Sequence, residues 1–277
     1  MQKKNKILTK TLPLILSAVV ISSSVGCSAD VPSDDGSKLP KLVIGTDDYA
    51  PFTYNDENGE LVGLDIELAE EVCRHLGYEP VFTRIDWSKK TDILNSEKID
   101  CLWCSYSITG REDMYDWTIA YMNGRQVVAV REDSDITTIA ALEGKRMAVQ
   151  TGTKPEEIFS GRTGGVKLEI PKLKYLNCLP DINYIFSAIN EGYVDAIAGQ
   201  EAVLLEYMKS STATLRILDE SLLDVEIGVA FKIGTHADVI EKINKTFALL
   251  KHNGFMKTHF EKYGLDPDKY MAVDYER

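Results

Sequence analysis

Arg111 is the residue whose type and surroundings point most directly to chemistry. It lies just past a strand-like run, Ile99 to Ser105, among the hydroxyls of Ser105, Ser107 and Thr109. A planar guanidinium can hold a carboxylate through paired hydrogen bonds, so the cluster reads as a carboxylate clamp. The competing reading pairs Arg111 on the surface with Glu112, Asp113 or Asp116. A second anion seat is suggested at Gly152 and Thr153, where a strand gives way to a helix and backbone N–H groups can face an anion. A plain strand-to-helix turn is the alternative. Asp47, ending the first strand, could accept a hydrogen bond from a ligand amine, and Tyr49 and Phe52 could cover an aliphatic or cationic group with an aromatic face or else pack in a core.

Other chemistries are poorly supported. Cys101 and Cys104 form a CxxC, but Cys101-Leu102-Trp103-Cys104 reads as a strand, whose side chains three apart point to opposite faces. Structural or free thiols are expected there, and no second Cys/His cluster completes a metal site. His75, His236, His252 and His259 fall in helical or loop contexts away from the candidate site. No cofactor is expected.

These residues need a scaffold, and the pattern supplies one. Leu42-Val43-Ile44 reads as a strand, Asn55 to Gly59 as a turn, and Ile66, Ala69, Cys73 and Leu76 recur at helical spacing between an Asp65 N-cap and a Gly77 stop. Val81-Phe82-Thr83, a helix around Thr91 to Ser96 and the run Ile99 to Ser105 complete a β-α-β-α-β unit, which favours parallel strands. The alternation restarts after Glu143-Gly144-Lys145: strand Arg146 to Gln150, helix near Glu156 to Ser160, strand Leu173 to Leu176, helix Asp181 to Asn190, strand Val194 to Ala198. A last amphipathic helix, Ala237 to Lys251, aligns Ile240, Ile243, Phe247 and Leu250 before Gly254. Gln126 to Val130 and Ile227 to Phe231 are the candidate connectors, and two extended connectors between α/β units make a hinge beside a cleft.

Over residues 39 to 264 the chain resembles the extracellular solute-binding proteins of family 3, the polar amino-acid receptors of bacterial ABC importers. The matching pieces are Leu42-Val43-Ile44-Gly45-Thr46-Asp47 with Tyr49-Ala50-Pro51-Phe52, Asn58 to Asp65, Lys98-Ile99-Asp100, Ser107-Ile108-Thr109 with Arg111, Val149-Gln150 with Gly152-Thr153, and Glu191-Gly192-Tyr193-Val194-Asp195-Ala196. The resemblance implies a type II periplasmic-binding-protein-like α/β fold. Each of its two lobes would be a mixed, mainly parallel sheet flanked by helices, with two hinge strands between them. Lobe 1 would be residues 39–129 plus 229–277, and lobe 2 residues 130–228. It further implies a small amino-acid-like ligand in the cleft, held by Asp47, Tyr49, Phe52, Ser105, Ser107, Thr109, Arg111, Gly152 and Thr153, and a membrane permease as partner.

Two departures bear on the ligand. Where the family places an acidic residue for the ligand ammonium, this chain has Gln200, which can accept a hydrogen bond but cannot neutralise a charge, so an ammonium would need Glu201, Asp47 or another carboxylate. Where the family often has a second Thr, this chain has Lys154, which would favour an extra acidic group on the ligand. Some relatives are dehydratases acting on cyclic carboxylates, so an enzyme on the same fold is the rival reading, followed by an accessory of a sensor system.

The amino terminus addresses the protein outward. Lys3, Lys4, Lys6 and Lys10 precede an apolar run from Leu12 to Ile21, and Ser24-Val25-Gly26-Cys27 resembles a bacterial lipobox. Residues 1–26 are thus expected to be a signal peptide, Cys27 the lipidated first residue of the mature chain, and 27–38 a flexible tether. The formal net charge of −12 becomes −16 once those four lysines are gone, which argues against nucleic acid as a partner. The expected product is an exported monomer, lipid-anchored on the outer face of the cell membrane.

Overall fold

The computed structural model describes residues 38–163 and 169–272. The expected signal peptide, Cys27 and all of the tether but Lys38 lie outside the described residues.

The chain opens with β1 (Lys41–Thr46), then a hairpin of β2 (Tyr54–Asn55) and β3 (Leu61–Val62), whose turn is closed by the Asp56 carboxylate accepting from the backbone N–H groups of Asn58 and Glu60. Helix α1 (Leu64–Leu76) follows. Its N-cap is Gly63, not Asp65 as the sequence suggests: a Cβ at Gly63 would lie 2.1 Å from the Phe52 carbonyl oxygen, so only glycine fits. Asp65 sits inside the first turn and is buried. Gly77 ends the helix in the left-handed conformation, as expected.

β4 (Glu79–Arg84), α2 (Lys90–Asn95), β5 (Cys101–Leu102) and β6 (Asp116–Trp117) complete this part of the chain. The chain then runs through β7 (Met122–Arg131), β8 (Arg146–Gln150), α3 (Lys154–Phe159), β9 (Tyr175–Leu179), α4 (Ile182–Asn190), β10 (Ala196–Gln200), α5 (Glu201–Met208) and β11 (Leu215–Ile227). It returns through β12 (Ala230–Phe231) to α6 (Ala237–His252), α7 (Phe255–Lys262) and α8 (Pro267–Tyr270).

Among the described residues these strands build two five-stranded sheets, ordered β4-β1-β5-β12-β6 and β11-β7-β10-β8-β9, besides the β2–β3 hairpin. In the first, β4, β1 and β5 are parallel and β12 and β6 antiparallel. In the second, β9, β8 and β10 are parallel and β7 and β11 antiparallel. Parallel strands are covered on both faces, which explains why β8 and β10 are almost wholly buried. On α6 the buried residues Val239, Ile243, Phe247 and Leu250 form the inward stripe, each contributing roughly 1.5–3 kcal/mol of apolar burial. Ile240, expected on that stripe, is only partly buried.

The chain passes between the sheets at Thr118–Tyr121 and again at Gly228–Val229. Thr118 N donates to Val229 O, Val229 N to Thr118 Oγ1, and Tyr121 N to Ile227 O, each at 3.0 Å. The connector expected at Gln126 to Val130 instead lies wholly within the second sheet, paired with β10, and residue 129 falls inside the continuous strand β7. A run of buried valines and alanines there suits a central strand better than an exposed hinge.

Candidate functional site

The parallel strands deliver their carboxyl ends to a common cleft. Asp47 follows β1, Cys104 to Ser107 follow β5, Gly152 and Thr153 follow β8, and Gln200 ends β10. Together with Tyr49, Trp87, Arg111, Gln126, Gln150 and Lys154 they line a narrow cleft with a cavity volume of about 30 Å³, room for little more than water in this conformation, so a ligand would enter only as the two sides part.

Arg111 is 3% exposed, its Cζ 4.6 Å from the centre of the Tyr106 ring. Nη1 donates to the Ser107 carbonyl at 3.0 Å and to Ser107 Oγ at 2.7 Å. Nε and Nη2 both donate to Glu157 Oε1, at 3.0 and 2.7 Å. The guanidinium thus has a carboxylate partner, neither a ligand nor the neighbouring Glu112, Asp113 or Asp116 but a residue from helix α3 on the far side of the cleft. Glu157 Oε2 accepts from Lys154 Nζ at 2.6 Å and Thr163 Oγ1 at 3.0 Å. Burial works to raise the Glu157 carboxyl, yet Arg111 and Lys154 hold it below the usual carboxylate range.

The second expected anion seat is occupied as well. Gly152 N donates to Glu156 Oε2 at 2.5 Å and Thr153 N to the Gln150 carbonyl at 3.4 Å. The plain-turn reading therefore describes 152–153 in this conformation. A third cation completes the cleft: Lys90 Nζ donates to the Gly152 carbonyl at 2.7 Å and lies 5.4 and 5.6 Å from the ring centres of Trp87 and Tyr106. Burial lowers the Lys90 pKa to about 8, with the Arg111 charge acting in the same direction.

Several polar groups point into the cleft without partners. Ser105 Oγ, Gln150 Oε1 and both amide atoms of Gln200 are buried and unbonded within the protein. Such groups cost free energy until something completes their hydrogen bonds, so they mark where a ligand would be held. Ser105 is fixed from beneath: its φ is +46°, and its N–H donates at 2.6 Å to Asp65 Oδ2, while Tyr121 donates at 2.7 Å to Asp65 Oδ1.

Two expected site residues do not reach the cleft. Phe52 is fully buried in the core of the first sheet, 6.5 Å from the Tyr49 ring, because its backbone closes a tight turn with Tyr49 that directs the side chain inward. Thr109 faces β11, its Oγ1 accepting from Glu226 N at 2.9 Å. Glu201, considered for a ligand ammonium, is held instead by Arg125 at 2.9 Å, Lys269 at 2.8 Å and the Tyr270 hydroxyl at 2.9 Å. No local pattern in the sequence marks Trp87, Lys90, Tyr106, Gln126 or Glu157 as site residues, and Gln150 is marked only by its place beside Gly152 and Thr153. Cys101 and Cys104 are free and buried, as expected, and burial pushes both thiols up. Among the described residues, no cluster of His, Cys, Asp and Glu is arranged to hold a metal ion, and no helix is long and apolar enough to cross a membrane.

Comparison with known proteins agrees with this arrangement. The histidine-binding periplasmic protein of Salmonella typhimurium (strain LT2) is 30% identical over 272 residues, covering 94% of this chain and 99% of that protein. The L-cystine-binding protein TcyJ of Escherichia coli (strain K12) is 25% identical over 265 residues, covering 92% and 96%. The solved structure of an ancestral arginine-binding protein bound to arginine superposes with a TM-score of 0.72 at 29% identity, over 80% of this chain and 97% of that one. The model of the bacterial extracellular solute-binding proteins, family 3, matches residues 42–266, and the chain belongs to that family.

Proposed function

We propose that the protein is an extracytoplasmic receptor that encloses a small amino-acid-like carboxylate between its two lobes and hands it to the membrane permease of an ABC importer. The observation that carries this reading is the ring of unpartnered buried groups, Ser105 Oγ, Gln150 Oε1 and the Gln200 amide, around a cleft lined by Arg111 and Lys154, with Lys90 held against its Gly152 and Trp87 walls. A ligand carboxylate meets the cations, and the polar remainder of the ligand meets the amides and the Ser105 hydroxyl. Asp47 is the carboxylate best placed to receive an ammonium, since Glu201 is already paired.

The contacts across the cleft support closure by relative movement of the lobes about Thr118–Tyr121 and Gly228–Val229. Lys90 reaches Gly152, Arg111 reaches Glu157, and Gln150 reaches Asp47. A ligand favours the closed form only by the contacts it makes there. Binding is the whole of the proposed activity: the carboxylates at the cleft, Asp47, Glu156 and Glu157, serve as hydrogen-bond acceptors for protein groups. The signal-peptide features of residues 1–26 and the lipobox-like Ser24 to Cys27 support export and a lipid anchor, with the protein acting as a monomer on the outer face of the membrane.

The test is a thermal-shift screen of residues 28–277 against the proteinogenic amino acids, L-cystine, amidated derivatives and small cyclic carboxylates, repeated with Arg111→Ala. Stabilisation of the wild type by a carboxylate, lost in the variant, is the expected result. Consumption of a cyclic acid during the assay would overturn the reading in favour of an enzyme.

A further inference from the structure

Helix α3 brings its own carboxylates to both anion seats of the cleft. Glu156 takes the N–H of Gly152, and Glu157 takes the Nε–Nη2 edge of Arg111. The other end of the guanidinium is committed to Ser107, whose carbonyl and hydroxyl both accept from Nη1. A ligand carboxylate can therefore pair with Arg111 along that edge only by replacing Glu157.

The surroundings of Glu157 allow the replacement. Oε1 serves Arg111, whereas Oε2 is held separately by Lys154 Nζ at 2.6 Å and Thr163 Oγ1 at 3.0 Å. Displacing Oε1 leaves those bonds in place, so Glu157 keeps a cationic partner and Arg111 gains a new one. No charge is left buried without a partner, which is the condition under which such an exchange is affordable in a dry site.

We propose that Glu157 is an internal competitor for the ligand's carboxylate. It occupies Arg111 while the cleft is empty, and it yields to an incoming carboxylate while Lys154 and Thr163 retain it. This rests on the receptor reading above, because it takes Arg111 to be the group that receives the ligand. Two consequences follow. Affinity is set below what the exposed guanidinium would give, and a compound without a carboxylate cannot displace Glu157, so the residue also selects for one.

Calorimetric titration of wild type, Glu157→Gln and Glu157→Ala with the carboxylates of the thermal-shift panel and with their amides tests the proposal. The alanine variant is included because glutamine can keep a weak contact with Arg111. Removing the competitor should lower the dissociation constant of a carboxylate by about tenfold or more, as expected for a charge-assisted hydrogen bond no longer contested. The amides should show no such gain, a distinction that a merely structural role for Glu157 would not produce. Carboxylates that bind wild type and both folded variants equally, or the variants more weakly, overturn the competitor role while leaving the receptor reading intact. Failure of all three proteins to bind any carboxylate in the panel overturns both.

Discussion

Gln150 Nε2 donates a 2.8 Å hydrogen bond to Asp47 Oδ2, tying the carboxyl end of β8 in one sheet to that of β1 in the other. Burial pushes the Asp47 carboxyl up, and the bond from Gln150 opposes that shift. The Gln150 Oε1 atom stays unpartnered at the cleft. One side chain thus commits its donor to closure and leaves its acceptor for whatever the cleft encloses.

Replacing Gln150 with alanine removes both roles at once. The closed form should be less populated without ligand, seen as a larger radius of gyration by small-angle scattering, and the dissociation constant of a bound amino acid should rise by about tenfold. An unchanged scattering profile together with wild-type affinity would show that the Asp47–Gln150 bond is incidental to closure.

Asp65 offers a pH signature. Its carboxyl is buried beneath Ser105 and pushed up to about 7 by that burial, against the opposing hydrogen bonds from Tyr121 and Ser105. The folded state therefore keeps a proton that the unfolded chain releases near its ordinary value of 3.8. The stability this contributes is fully present below about pH 4 and is lost as pH rises towards 7. Urea unfolding of wild type and Asp65→Asn between pH 4 and 8 should show the wild type losing about 2–4 kcal/mol relative to the variant across that window. Parallel stability curves for the two proteins would mean that Asp65 is ionised throughout.

Much of the scaffold was legible in the sequence because hydrophobic period is a local property. The two alternations of strand and helix, the Gly77 stop and the Ala237 helix all follow from spacing within a few residues. Arg111, Gly152 and Gln200 could be placed at the cleft because ligands gather at the carboxyl ends of parallel strands. The partner of Arg111 was not legible: Glu157 lies 46 residues away and meets it only across the cleft. The i,i+3 pair of Lys154 and Glu157 was readable as a local motif, but nothing in that spacing tells which other cation Glu157 touches. Thr109 has a similarly distant partner in Glu226, whereas Phe52 is turned inward by a local turn with Tyr49 whose direction residue type alone does not reveal.

Glu201 separates a structural carboxylate from a ligand-binding one. Burial works to raise its carboxyl, but Lys269, Tyr270 and Arg125 together hold it below the usual range and fasten α8 against β7 and α5. Glu201→Ala should cost about 2 kcal/mol in urea unfolding, somewhat less than a fully buried pair because Lys269 is part-exposed. The thermal shift produced by a saturating ligand should be retained. Loss of that shift at unchanged stability would instead make Glu201 the ammonium acceptor that Gln200 cannot be.

Gly124 controls Gln200 by its lack of a side chain. A Cβ at position 124 would lie 3.1 Å from Gln200 Nε2 and 3.5 Å from Val225 Cγ2, close enough to push the amide by a few tenths of an ångström. Both polar atoms of that amide are buried and unpartnered, so their orientation decides what hydrogen bonds the cleft can offer at the end of β10. Gly124→Ala should change stability by no more than about 1 kcal/mol, since the shift is small and alanine suits a strand better than glycine does. Ligand affinity should nevertheless fall several-fold. The assignment to Gln200 is checked by repeating the substitution in a Gln200→Ala background, where its effect on the dissociation constant should vanish. An equal loss of affinity with Gln200 already gone would mean that Gly124 acts on the cleft through Val225 and strand β11 instead.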